Sequence, residues 1–215
     1  MSKLDEVLKD VSKEKSDTME ERYTRNIDTW GNKDRYDDIV QNLVSKVEKY
    51  INENSVKWLD LGSGPSWVVD SLRKSAKEDI VFSGYDISET AIRYGIDNNL
   101  LNSDSKVFDL NDLKFGEKAF YNFKVVSLID VMYYLGGSGV RDWHETARAI
   151  WDNLAQGSIL VVADCLVRFQ YREFWKSLDG CEILDEYIEY SKPVYVTDNG
   201  SRRNLKVKIY RKNVK

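Results

Sequence analysis

Four aspartates and two glycines are spaced along this chain in a way that could hold a nucleoside. Trp58-Leu59-Asp60-Leu61 runs directly into Gly62-Ser63-Gly64-Pro65-Ser66-Trp67. Glycines directly after a strand allow a tight turn and a close backbone approach to a ligand, and the helix that follows offers its N-terminal amides. Asp86 lies 22 residues beyond Gly64, the separation expected of a carboxylate that accepts the hydroxyls of a ribose. Asp109 and Asp130 end two further short apolar runs. One such aspartate is as readily a helix cap or a turn residue. Four at the ends of consecutive strands fall along the carboxyl edge of an open α/β sheet, where such sheets bind ligands.

The elements that must position these groups can be read from periodicity. Ile39, Val40, Leu43, Val44, Val47 and Ile51 recur at helical spacing and predict an amphipathic helix from Asp37. Short apolar runs follow, separated by helical stretches. The predicted strands are Val56 to Leu61, Ile80 to Asp86, Lys106 to Asp109, Lys124 to Asp130 and Ser158 to Asp164. Predicted helices run from Ser66 to Ala76, from an N-cap at Ser88 to about Asn98, and from the Gly136–Gly139 loop towards Leu154. Buried strands alternating with helices imply a doubly wound α/β fold with a mostly parallel sheet. After a helix near Tyr171 to Leu178, the strands Cys181 to Tyr190 and Leu205 to Arg211 flank a hairpin-like stretch with Asn199-Gly200. They suggest an antiparallel pair added to the sheet. Residues 1–36, polar and charged with aromatics at Tyr23, Trp30 and Tyr36, read as an N-terminal cap ahead of a domain spanning 37–215.

With the loop and the acidic strand ends in place, the sequence resembles the class I S-adenosylmethionine (SAM)-dependent methyltransferases over roughly residues 37 to 211. Their first motif runs acidic-x-Gly-x-Gly-x-Gly; here it is met by Asp60, Gly62 and Gly64 around Ser63, with Ser66 in place of the third glycine. The resemblance implies a seven-stranded sheet and SAM as cofactor. It also implies that Asp86 takes the ribose hydroxyls, Ile87 lies against the adenine, and Asp109 with Leu110 recognises the adenine amino group. Asp130 would face the methionine portion and the methyl acceptor. A nicotinamide-dependent oxidoreductase is the rival, but it would want a glycine at the Trp67 end of the loop and a neutral residue at Asp60.

Methyl transfer asks the protein to align donor and acceptor, exclude water and keep the acceptor unprotonated. Asp130 and His144, the only histidine, are the candidate catalytic groups. The stretch Asp28-Thr29-Trp30-Gly31 with Tyr36, and Val131-Met132-Tyr133-Tyr134-Leu135, is similar to the nodulation-factor amino-sugar N-methyltransferases. That likeness places Trp30 and Tyr36 over the cofactor.

A short chain without an appended recognition domain suits a small-molecule acceptor, with an amine or hydroxyl on a sugar or other polar metabolite expected first. The chain carries a net charge of −4, with no global positive field for nucleic acid. Asp130-Val131-Met132-Tyr133 also lacks the Pro-Pro-aromatic run that DNA amine methyltransferases use on a flipped base. The acid-free basic run from Arg202 to Lys215 is the one feature favouring RNA or protein. A SAM-binding module without turnover is the alternative from another class. No stretch has the apolar length to span a membrane. The N-terminus has no apolar signal region, and Cys165 and Cys181 form no CxxC pair, so a cytoplasmic protein with free thiols is expected.

Overall fold

The computed structural model describes residues 18–28, 37–77, 79–132, 134–135, 143–164, 170–188, 195–196 and 202–213. The Gly136–Gly139 loop, the Asn199-Gly200 turn and Cys165 lie outside them. Among the described residues, two short helices lead into the sheet: α1 (Met19–Arg25) and α2 (Asp37–Glu48). The alternation then runs β1 (Val56–Leu61), α3 (Trp67–Ser75), β2 (Ile80–Asp86), α4 (Glu89–Asp97), β3 (Lys106–Val107), β4 (Val125–Ile129), α5 (Trp143–Asp152), β5 (Ile159–Asp164) and α6 (Gln170–Lys176). It closes with β6 (Cys181–Ile188), the two-residue strands β7 (Tyr195–Val196) and β8 (Arg202–Arg203), and β9 (Lys206–Lys212).

Seven strands form one sheet in the order β3-β2-β1-β4-β5-β9-β6. The pairs β1–β2, β1–β4, β2–β3 and β4–β5 are parallel. The last strand is antiparallel to both its neighbours, β5 and β6. The expected C-terminal strand pair is therefore present, with β9 inserted between β5 and β6 instead of extending the edge. The hairpin stretch between them pairs separately as β7–β8.

Side chains alternate across the sheet and build a core on each face. In β1, Val56 and Trp58 pack with Val40, Leu43, Val44 and Val47 of α2 and with Val69 and Leu72 of α3. Leu59 and Leu61 point the other way, towards Ala147, Ile150 and Trp151 of α5. Every residue of β4 and β5 is buried, which explains why both are apolar except for Ser127 and the terminal Asp164. The third strand is shorter than its apolar run predicts because Asp109 caps a 3₁₀ turn, Leu110–Asp112, by accepting from the Asn111 amide. Far from the carboxyl edge, Lys212 of β9 donates to the carbonyls of Trp151, Asp152 and Leu154 at 2.8, 3.0 and 2.8 Å, satisfying the C-terminal end of α5. Among the described residues no helix is long and apolar enough to cross a membrane.

Candidate functional site

The crevice is built by the turns that leave β1 and β2. Gly62 has φ +71°, and a Cβ there would stand 2.6 Å from Val131 Cγ2, so both conformation and space demand glycine. The amides of Gly62 and Ser63 donate to the Tyr85 carbonyl at 2.7 and 3.2 Å. The Gly64 amide donates to Asp86 Oδ2 at 2.8 Å, and the Ser88 amide to Asp86 Oδ1 at 2.9 Å. The Asp86 carboxylate thus ties the glycine loop to the start of α4. The Ile87 amide also bears on this carboxylate, whose two oxygens together offer about four acceptor sites. Burial raises its pKa, the Ser88 and Gly64 amides lower it, and the neighbouring Glu20 charge raises it again. Ile87, next in sequence, is 50% exposed, an apolar side chain held open at the edge of the crevice.

Asp60 lies beneath the loop. It is buried, and its Oδ1 accepts from the Ser127 hydroxyl at 2.6 Å. Loss of water pushes its pKa up to about 7 against the lowering effect of that bond, with the Asp86 charge adding to the rise. On the next strand along, Asp109 spends Oδ1 on the Asn111 backbone and side-chain amides, at 2.8 and 3.0 Å, and Leu110 is buried. Asp130, at the end of β4, holds a left-handed backbone with φ +55°. Its amide donates to the Ala163 carbonyl at 2.7 Å. A non-glycine residue kept in that region is strained, and strain of this kind concentrates at functional sites.

The structure therefore brings Gly62, Ser63, Gly64, Asp86 and Ile87 into one bonded unit, with Asp60 below it and Asp130 reaching it through Val131. Asp109 and Leu110 stand one strand further out. His144 lies in the first turn of α5, half-buried, with its ring 3.6 Å from that of Trp143 and 5.1 Å from that of Phe174. Trp30 and Tyr36 fall outside the described residues.

Three participants were not singled out from the sequence as site residues. Glu20 of α1 accepts from the Ser88 hydroxyl at 2.6 Å and from the Thr90 amide at 3.1 Å. One turn on, Tyr23 is buried, and a Cβ at Gly64 would come within 2.7 Å of its hydroxyl. Helix α1 thus crosses both turns of the crevice. The third is Ser127, which bonds Asp60. The signal for α1 was available: Thr18 and Glu21 form a capping box, with the Glu21 amide donating to the Thr18 hydroxyl at 3.2 Å and the Thr18 amide donating to the Glu21 carboxylate at 2.8 Å.

Side chains are excluded at Gly62 and Gly64, a buried carboxylate has lone pairs to spare, and an apolar side chain lies open beside it. These features fit a nucleoside held against the backbone. Residues 20–193 match the family model described as a methyltransferase domain. No curated protein sequence matches the chain significantly. Among solved structures, the chain resembles one from the complex between the Haloferax volcanii Trm112 methyltransferase activator and a methyltransferase, with TM-score 0.63 and 14% identity over 92% of this chain and 99% of that one. It also resembles a SAM-dependent methyltransferase from Clostridium acetobutylicum (TM-score 0.60, 11% identity, 89% and 98% covered). A third is the magnesium protoporphyrin IX methyltransferase of Synechocystis, solved with bound SAM (TM-score 0.60, 14% identity, 96% and 97% covered). What this chain shares with those structures is the fold, and the family model spans most of its length: the chain belongs to the methyltransferase-domain family and is a class I SAM-dependent methyltransferase.

Proposed function

We propose that the chain transfers a methyl group from SAM to a nitrogen or oxygen of a small polar metabolite, with a sugar amine or hydroxyl as the first class to test. The observation that carries the cofactor side is the Asp86 carboxylate, buried at the mouth of the Gly62–Gly64 turn and tied by the Gly64 and Ser88 amides to both turns of the crevice. In this reading Asp86 accepts the ribose hydroxyls, Ile87 packs on the adenine, and the Asp109–Leu110 turn recognises its amino edge. The loop amides and Asp60 face the methionine portion. The cofactor supplies a methyl bound to a sulfonium, which leaves as a neutral thioether.

The chain's own residues then have three tasks. Asp130, fixed by its strained backbone and its bond to Ala163, orients the acceptor at the carboxyl edge between β4 and β5. His144, on the aromatic wall with Trp143 and Phe174, takes the acceptor proton where the acceptor needs a base. Helix α1 lies across both turns of the crevice, and in this reading Trp30 and Tyr36, which fall outside the described residues, close over the cofactor. Excluding water in this way protects the alignment on which the reaction rate depends.

A small acceptor is supported by the likeness in fold to the magnesium protoporphyrin IX methyltransferase, which is named for a small acceptor and aligns over 96% of this chain and 97% of its own. Calorimetry with SAM and its demethylated product measures cofactor binding. A methyl-release assay over a panel of amines, amino sugars and hydroxylated metabolites identifies the acceptor. Release with RNA or protein alone would redirect the assignment. Tight SAM binding without release on any acceptor would leave a binding module.

A further inference from the structure

The family motif places a third glycine where this chain has Ser66. Ser66 breaks several local rules at once. Its backbone is left-handed, with φ 70° and ψ 25°, and its side chain makes no cap bond to α3. It is fully buried, and among the described residues its hydroxyl has no hydrogen-bond partner. A conformation this costly at a non-glycine residue persists only where its surroundings over-determine it.

Those surroundings are on α4. Gly95 presents its Cα to the loop, and a Cβ there would stand 2.6 Å from Ser66 Oγ. The same Cβ would meet Leu101 Cδ1 at 2.7 Å. Gly84 of β2 repeats the arrangement, since a Cβ there would collide with Ser63 Oγ. Both serines of the loop are therefore seated on glycines of neighbouring elements. Ser66 in turn sets the loop. Its amide closes the turn by donating to the Ser63 carbonyl at 2.9 Å, and its carbonyl accepts the Asp70 amide at 2.9 Å to start α3. Between these bonds lies Gly64, whose amide reaches Asp86 at 2.8 Å.

We infer that Gly95 is a positioning residue for the cofactor loop: the close approach that a third glycine gives in the motif is made here from the opposite side, by a glycine on α4 that admits the Ser66 side chain. This rests on the assignment of the loop and Asp86 to SAM. A side chain at position 95 lifts Ser66 and displaces the Gly64 amide from Asp86. Removing the Ser66 side chain as well lets the loop settle again, because glycine adopts the left-handed conformation without strain. A second copy of the small residue thus substitutes for the first.

Calorimetry with SAM on wild type, Gly95→Ala, Gly95→Ala/Ser66→Gly and Gly95→Ala/Leu101→Ala tests the pairing. Gly95→Ala is expected to weaken SAM binding by about ten-fold or more, the penalty of a sub-ångström displacement in a preorganised site. Ser66→Gly is expected to restore affinity towards the wild-type value. Leu101→Ala relieves the other contact and is expected to restore stability but not affinity. Should Gly95→Ala not fold, recovery of folded, SAM-binding protein with Ser66→Gly and not with Leu101→Ala gives the same answer. Wild-type affinity in Gly95→Ala, or weakened affinity that Ser66→Gly leaves unchanged, overturns the inference. Failure of the wild type itself to bind SAM instead overturns the cofactor assignment, and the interlock is then judged on whether Ser66→Gly raises the Tm of Gly95→Ala.

Discussion

Ser127 Oγ donates to Asp60 Oδ1 at 2.6 Å while accepting from the indole nitrogen of Trp58 at 2.9 Å. This chain of bonds runs from the core up to the underside of the glycine turn, joining β1 to β4 across their parallel pairing, in which Asp60 and Ser127 are register partners. A buried carboxylate held by one hydroxyl is poorly compensated, and its pKa of about 7 is the consequence.

The sign of the resulting pH dependence follows from linkage. Asp60 titrates near its ordinary value of 3.8 when unfolded and at about 7 when folded, so the folded state binds the proton more tightly. The stabilisation is complete below about pH 4 and is lost as pH rises towards 7, with a slope approaching about 1.4 kcal/mol per pH unit inside that window. Asp60→Asn keeps an acceptor for Ser127 and removes the charge. Its Tm is expected to be nearly flat from pH 5 to 8 and above that of the wild type at the alkaline end. SAM brings positive charge, which favours the ionised carboxylate, so wild-type SAM affinity is expected to rise with pH through neutrality with proton release. Calorimetry in buffers of different ionisation enthalpy reads that release; its absence would place Asp60 out of reach of the cofactor's charge.

The Asp86 carboxylate has a separable role. Asp86→Asn offers one acceptor where two were needed and presents a donor to the other amide. Charged hydrogen bonds of this type are worth about 1.5–3 kcal/mol each, so SAM affinity is expected to fall about ten- to hundred-fold. The isothermal titration should show that loss with the far-ultraviolet dichroism unchanged. Unaltered affinity would remove Asp86 from the cofactor site.

These two aspartates also mark how far the sequence could be read. The acidic strand ends and the glycine spacing were legible because both are local: a turn that must be left-handed at Gly62, and a carboxylate that must end the next strand. The strand run Ile80 to Asp86 and the N-cap at Ser88 were found for the same reason. What was hidden depends on contacts between distant residues. Nothing local in Ser127 announces its bond to Asp60 67 residues away, and Gly95 reads as a helix-weakening glycine until Ser66 is seen against it. The insertion of β9 between β5 and β6 is likewise a matter of pairing, since two apolar strands in succession specify a pair without saying where it adds.

Lys212 offers a test of stability remote from the crevice. Its ammonium satisfies three carbonyls at the end of α5, and its own carbonyl accepts the Gly157 amide at 2.6 Å. Lys212→Met keeps the aliphatic stem and leaves those carbonyls to water. A loss of about 1–3 kcal/mol in unfolding free energy is expected, with SAM affinity unchanged. Urea titration measures the first and calorimetry the second; an unaltered midpoint would show that water caps the helix as well as the ammonium does.

The Glu20 carboxylate ties helix α1 to the start of α4, beside a Thr24–Thr90 hydroxyl contact at 3.3 Å. Glu20 accepts from the Ser88 hydroxyl and from the Thr90 amide and hydroxyl, and these bonds lower its pKa, the Ser88 hydroxyl most. A depressed folded pKa means the bonding is complete above the unfolded value near 4.5 and is lost only as pH falls through the lower folded value. At neutral pH the attachment therefore stays ionised. Glu20→Gln keeps the shape and one acceptor oxygen but loses the charge, and Glu20→Ala loses both. Since α1 carries Tyr23 to within reach of Gly64, freeing the helix should loosen the cover of the cofactor site and leave the core intact. The expected signature is faster proteolytic cleavage before residue 37 and weaker SAM binding, in the order wild type, Glu20→Gln, Glu20→Ala, with the main unfolding transition preserved. Saturating SAM should restore protection in all three. Equal cleavage rates across the series would show that α1 is held by its other contacts, among them Tyr23 packing and the Thr24–Thr90 hydroxyl pair, and equal SAM affinities would show that its position is immaterial to the cofactor.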